Sequence, residues 1–295
     1  APGIITRLAP EQQLPAQQYS RLYREGVRHM QRLRTPLPWA AGLGSEAFEL
    51  MCHCVISGRT LGDALRLAER YDRLLFPLLG HNIRLLDEPG NPRVKLSYRV
   101  KLGEEDSPLA PAQWDRARNK NTVAHASGLL VWHAFCGWLI GRALELEQAG
   151  VSVSALPERY ASKLAGIFRC PVRAVEGNSF LEFPAHFLDC KLVHDAASLE
   201  DMLRTGPYQL MQMDHAPSST SAAIRSLLGN KFADGLPSFE EIAERLGVSP
   251  SSLRRRLMSE QTSYQRLKDD CRRDAAIRLL QASEFLFRQA LAQAR

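Results

Sequence analysis

The sequence predicts an α+β N-terminal domain followed by an all-α domain built on a helix-turn-helix. Three observations predict it. Apolar residues recur at helical spacing in some stretches and at period two in others, with no regular βαβ repeat, which points to α+β rather than a doubly wound sheet. A short, polar, turn-forming segment, Asp214 to Ser221, then interrupts the pattern. Beyond it, two helix-start signals, at Ser238 and Ser249, flank Gly247. The expected division is a domain over 1–213, a linker over 214–220 and a second domain over 221–295, and 295 residues suffice for two domains.

The elements follow in order. Residues 16–34 carry Tyr19, Tyr23, Val27 and Met30 at three- and four-residue spacings, with Arg21, Arg24, Arg28 and Arg32 between them. This is an amphipathic helix whose basic face is either simply solvated or set against phosphates. Thr60 is placed to cap a helix in which Leu61, Ala64, Leu65, Ala68 and Tyr71 share one side. Around Pro89-Gly90-Asn91 the period changes to two: Ile83 and Leu85 precede the turn, and Val94, Leu96, Tyr98 and Val100 follow it, predicting two strands. A long helix over about 111–141 is apolar nearly all round in its second half, so it is expected to be buried. A strand near 143–153, a helix near 157–168 and a hairpin over Val172–Leu181 turning at Gly177-Asn178 complete the first domain. The long helix packed on strands suggests an enclosed, mostly apolar pocket able to hold a small molecule.

Composition is that of a soluble globular protein, with 45% hydrophobic and 24% charged residues. The longest apolar run, Ala124 to Ile140, contains His125, Ser127 and His133 and is shorter than a bilayer requires, so a buried helix is the simpler account. The first seven residues lack a basic segment followed by an apolar core, so no signal peptide is expected. The six cysteines form no CxxC pair, which suits a reduced, cytoplasmic setting. The formal net charge of +6 suits a polyanionic partner. Half of it lies in residues 236–295, with 11 Lys and Arg against 8 Asp and Glu.

Those residues carry the strongest local signal. Ser238 and Glu241 have the spacing of a capping box, and Ile242, Ala243 and Leu246 form an apolar stripe. Gly247 supplies a left-handed residue, Ser249 caps the next helix, and Pro250 sits at its first position, where a missing N–H costs nothing. Small Ala243, the turn at Gly247 and Leu253 six residues on are the spacing of a helix-turn-helix, whose second helix enters a major groove. Burying Leu253 and Leu257 leaves Ser251, Arg254, Arg255 and Met258 outside, and arginine donates bidentately to guanine or neutralises phosphate. The alternative is a solvated basic helix in an unrelated bundle. Both caps, the turn and three consecutive arginines favour double-stranded DNA.

Leu253-Arg254-Arg255-Arg256-Leu257, then Thr262-Ser263-Tyr264, then Arg272 through Ala276 to Leu279-Leu280 resemble the first half of an AraC/XylS DNA-binding domain. That family pattern usually has Gly where this chain has Gln261. The resemblance implies base reading by Ser251, Arg254 and Arg255 and phosphate contact by Arg256, with Ser249 and Ser252 completing the DNA-facing set. It also implies promoter DNA and RNA polymerase as partners, a small-molecule effector, and a homodimer as a possible assembly. Residues 263–282 match the family's linker helix, and 283–292 resemble the opening of a second helix-turn-helix that the chain does not complete, so a longer native protein is expected. Gly58 through Tyr71, Phe168 through Arg173, Leu181-Glu182-Phe183 and Phe187-Leu188-Asp189 resemble the effector domain of one branch of the family.

Other constellations weigh less. Cys52-His53-Cys54 has no second cluster at zinc-site spacing, so neither a metal nor a cofactor is expected. His125 and His133, eight apart, are more simply packed core histidines than ligands. The chain has no GxSxG elbow, P-loop or HExxH, so an enzyme fused to a DNA-binding module lacks a catalytic set, and the reading is not an enzyme. A protein-binding scaffold is disfavoured by the outward arginines.

Overall fold

A computed structural model describes residues 23, 25–29, 32, 40–101, 116–205, 220–228, 235–273 and 275–276. Residues 214–219, most of the expected linker, and 277–295, including the expected second unit, lie outside these, as do Tyr19, Arg21, Arg24 and Met30 of the first helix. In the described part of that helix Val27 is buried, Arg28 and Arg32 are exposed, and the Tyr23 hydroxyl donates to the Leu43 carbonyl at 3.0 Å.

Two helices come next, α1 (Glu46–Val55) and α2 (Leu61–Leu79). Thr60 caps α2 as its position predicts: its hydroxyl accepts from the Asp63 amide and the Asp63 carboxylate accepts from the Thr60 amide, both at 3.2 Å. Strands β1 (His81–Leu86) and β2 (Arg93–Val100) pair antiparallel about the Pro89-Gly90-Asn91 turn, with Leu85 opposite Leu96. The long helix α3 (Arg116–Ile140) follows, then β3 (Gln148–Ser152), α4 (Glu158–Phe168), β4 (Val172–Val175) and β5 (Ser179–Pro184).

The five strands form one mixed sheet in the order β1-β2-β5-β3-β4, so the fold is α+β. Here the expected hairpin over Val172–Leu181 is corrected. The chain does reverse at Gly177-Asn178, but β4 and β5 do not pair. β3 lies between them, antiparallel to β5 and parallel to β4, with Ala149 opposite both Leu181 and Val172. Alternation and a turn signal report that strands exist and reverse; they do not report which strand fills the gap. The Ser152 amide donates to Ser179 Oγ at 2.9 Å, and the Ser152 hydroxyl donates to the Gly177 carbonyl, fastening the turn across the end of β3.

The core sits between this sheet and α1–α3. From Ala124 to Ile140, α3 is buried on nearly all sides, as an apolar helix between layers must be. Asn121–Ile140 has the length and composition to cross a membrane, yet 78% of its most apolar window is buried inside the protein, which makes it a core helix. At Gly128 it comes so close to β2 that an added Cβ would fall 2.2 Å from the Tyr98 ring. His133 Nε2 pairs with the Leu144 carbonyl at 2.8 Å and His125 Nδ1 with Ser179 Oγ at 2.8 Å, so each histidine has a packing role of its own. In α1, Cys52 is buried while His53 and Cys54 face outward.

Asp72 of α2 is an unusual core residue. It is 2% exposed and accepts from the Ile83 amide at 3.1 Å, and burial pushes its carboxyl up to about 7 despite that bond. A carboxyl raised in the folded state binds protons that the unfolded chain, titrating near about 4, has lost. Stability therefore falls as pH rises from about 4 to 7 and stays at the lower level above. Asp72→Asn is expected to raise the melting temperature by a few degrees at pH 8 and by much less at pH 4.5. Equal shifts at both pH values in thermal melts would contradict this.

Beyond β5, a short 3-10 turn (Ala185–Asp189) leads to α5 (Ala196–Thr205). The rest is helical: α6 (Thr220–Leu228), α7 (Phe239–Arg245), α8 (Pro250–Ser259) and residues 264–273. These pack around a second apolar cluster centred on Ile224, Ile242, Leu253, Leu257 and Leu267. Val193 joins that cluster while its amide donates to Leu139 at the end of α3, so it ties the two cores together.

Candidate nucleic-acid interface

The turn between α7 and α8 is built from local chemistry. Ser238 Oγ accepts from the Glu241 amide at 3.1 Å, and the Glu241 carboxylate accepts from the Ser238 amide at 2.6 Å, so both ends of the capping box are closed. Helix α7 stops at Leu246. Gly247 takes φ +63°, where a side chain would be strained, and its amide donates to Glu244 O. The Val248 amide then reaches back to Ala243 O at 3.0 Å, and Ser249 Oγ accepts from the Ser252 amide to start α8.

Leu253 and Leu257 are the buried face of α8. At about 100° per residue, Arg255 lies opposite their midpoint, with Ser251 and Met258 beside it on the outermost face. All three are exposed, Met258 at 69%. Arg254 and Arg256 occupy the two shoulders, both exposed. The arginines differ in their neighbours. The Arg254 guanidinium sits over the Phe239 ring of α7, 5.5 Å from its centroid, and Arg255 donates to Ser252 Oγ at 3.4 Å. Ser252 is half-buried, and Ser249 Oγ lies 3.1 Å from Ser251 Oγ and 3.0 Å from Ser252 Oγ. All six residues singled out from the sequence therefore lie on one short helix and its cap.

Two supporting residues carry no sequence signal of this kind. Phe239 is both the platform for Arg254 and a partner of Tyr264, whose ring lies 5.5 Å away and whose hydroxyl donates to Pro237 O. Glu260, at the end of α8, accepts from the Thr220 and Ser221 amides at 2.6 and 2.8 Å, capping α6 from outside. Burial pushes the Glu260 carboxyl up, but those hydrogen bonds outweigh it, and the group sits below the usual carboxylate range. Arg225 to Asp270, at 2.7 Å, ties α6 to the helical residues after α8.

Gln261 shows what its position demands. It adopts φ +55°, and the Gln261 and Thr262 amides donate to Met258 O and Leu257 O, closing the end of α8. A left-handed non-glycine residue costs about 1–2 kcal/mol. Gln261→Gly is therefore expected to stabilise the protein by up to about 1 kcal/mol after the glycine's greater unfolded-chain freedom is subtracted. Denaturant unfolding would check it, and a net loss would sink the strain argument.

Two concave spaces formed by described residues of the first domain differ in kind. Among the described residues, a cleft of about 510 Å³ beside the start of α2 is open and polar, with Arg59, Arg66, Asp87, Glu88 and Asp189 on its walls. An inner space of about 10 Å³ lies under α1, walled by apolar and aromatic side chains together with Asp72 and His81. No group of three or more potential metal ligands occurs among the described residues.

Comparison with known proteins places this architecture. The chain is 24% identical over 243 residues to the ornithine utilization regulator of Pseudomonas aeruginosa, covering 82% of this chain and 66% of that one, just under two thirds of the relative's length. The crystal structure of the transcriptional regulator CdpR from Pseudomonas aeruginosa aligns over 94% of this chain and 82% of its own, at 22% identity and a TM-score of 0.37. Residues 5–192 match the arabinose-binding domain of AraC transcription regulators, N-terminal. The chain belongs to the AraC-type transcription regulators that carry this N-terminal domain.

Proposed function

We propose that this chain is a sequence-specific DNA-binding transcription regulator whose N-terminal domain, over 1–213, responds to a small-molecule effector and whose second domain, over 221–295, binds promoter DNA. The observation that carries the reading is the exposed face of α8. It is a short helix, capped at both ends and buried through Leu253 and Leu257, that turns Ser251 and Arg255 outward between two further arginines.

A major groove about 12 Å wide admits one such helix. Ser251, Arg254 and Arg255 then face base edges, with the Arg254 guanidinium resting over the Phe239 ring. Arg256, on the other shoulder, faces a phosphate, and Ser249 and Ser252 lie at the helix start, where amides and hydroxyls meet backbone oxygens. Contact with RNA polymerase and dimer formation belong to this reading through the family. The test is a gel-shift of the purified protein on genomic fragments, with random DNA as competitor. A fragment retained against a hundredfold excess of competitor supports the reading. Retention of every fragment alike, or of none, removes it.

A further inference from the structure

The inner space under α1 combines features that an ordinary core avoids. Asp72 lines it, and its carboxyl is buried with no Lys or Arg paired to it among the described residues. His81, 6% exposed, lines it from β1, and burial holds its imidazole down to about 4, so the ring is neutral and one nitrogen is free to accept. Trp132 of α3 is 2% exposed, and among the described residues neither its indole N–H nor His81 Nδ1 has a partner. Phe48 and Tyr71 complete an aromatic wall. Buried charges are normally paired and buried polar atoms normally bonded. Here a carboxyl and a neutral imidazole, both acceptors, share a space walled by three aromatic side chains, and aromatic π-systems attract cations.

We propose that this space receives the primary ammonium group of a small amine, which is the effector class of the domain. The proposal rests on the ligand-responsive reading above and names its ligand chemistry. The volume, about 10 Å³, is that of a single water-sized group, so the space takes the ammonium head alone, from the side where the Tyr71 and Leu79 walls are only half-buried. The ammonium donates to the Asp72 carboxylate and to His81, and its charge supplies the cation that Asp72 lacks. Among the described residues, the other titratable groups close to Asp72, Tyr71 and Tyr98, are both pushed up by burial and stay neutral, so they bring no competing charge. Binding an ammonium favours ionised Asp72, so affinity rises as pH increases through about 7.

Thermal-shift and calorimetric titrations of the full chain with butylamine, 1,4-diaminobutane and L-ornithine, against 1-butanol as the uncharged control, test this. The expected result is saturable binding of at least one amine, about tenfold stronger at pH 8 than at pH 6, with none for butanol. Asp72→Asn, which leaves the packing in place, should abolish that binding while the variant keeps its helical circular dichroism and its DNA retention. Amine binding that survives Asp72→Asn, equal binding of butanol, or no amine binding at all would overturn the proposal. If amine binding disappears in Asp72→Asn, but saturating amine leaves the DNA affinity of the unsubstituted protein unchanged, the ammonium site stands and ligand control is removed from the proposed function.

Discussion

Gly128→Ala is expected to cost about 3 kcal/mol, at the upper end of overpacking penalties, and to lower the melting temperature by roughly 6–12 °C. Two effects oppose each other. Gly128 lies inside α3, and alanine in a helix interior is worth up to about 1 kcal/mol over glycine, so propensity alone predicts stabilisation. Packing reverses the sign. The new Cβ would stand 2.2 to 2.5 Å from three atoms of Tyr98, which is fully buried on β2. Either α3 lifts from the sheet or the ring leaves its place. Repeating the substitution in a Tyr98→Leu background isolates the cause, since the same alanine should then cost little. An equal penalty in both backgrounds would show that the contact is not responsible.

That pair also marks where sequence reading stops. Helix α3 was legible as a buried element because its second half is apolar on every side, but nothing in the sequence says that Gly128 faces Tyr98, thirty residues earlier and on a strand. The capped helices were legible almost to the residue. Thr60 with Asp63 and Ser238 with Glu241 make bonds within a few positions, so their chemistry is complete in a short window. The β1–β2 hairpin was legible for the same reason. The partnership of β4 was not, because its neighbour β3 is donated from the far side of α4.

The candidate site divides the same way. Leu253 and Leu257 fix which way α8 faces, so the outward set of Ser251, Arg254, Arg255 and Met258 follows from spacing alone. The Phe239 platform under Arg254 depends on how α7 crosses α8, and spacing within one helix does not contain that. The polar nook was hidden more deeply. Asp72 reads as one acidic position in a charged helix, and only the closure of α1, β1 and α3 over it turns it into a buried carboxyl. Within the described residues, the structure sets Asp72 and His81 into an otherwise apolar and aromatic wall, a placement that spacing within α2 or β1 does not reveal.

The three arginines of α8 are expected to behave differently despite being consecutive. Arg255 lies opposite the buried face, so it is the one aimed most directly into the groove. Arg255→Ala should weaken binding to the specific site by about 1–3 kcal/mol, roughly 5- to 150-fold, and relax preference at one base position. Arg256, on a shoulder, should act on the backbone. Its alanine variant should weaken all sequences by similar factors and make the salt dependence shallower by about one phosphate contact. Arg255→Lys separates charge from geometry, because lysine keeps the positive charge but lacks the planar fork that meets guanine in two places. It should retain the salt slope and lose the base preference. All of these side chains are exposed, so none of the substitutions should change the circular dichroism or melting temperature appreciably. Titrations at three salt concentrations against the specific site and a scrambled duplex read both quantities at once. If Arg255→Ala and Arg256→Ala shift specific and scrambled binding alike, α8 lies across the phosphates and not in the groove. Loss of base preference in Arg256→Ala with none in Arg255→Ala would instead require the helix to be rolled about its axis by roughly one residue, about 100°.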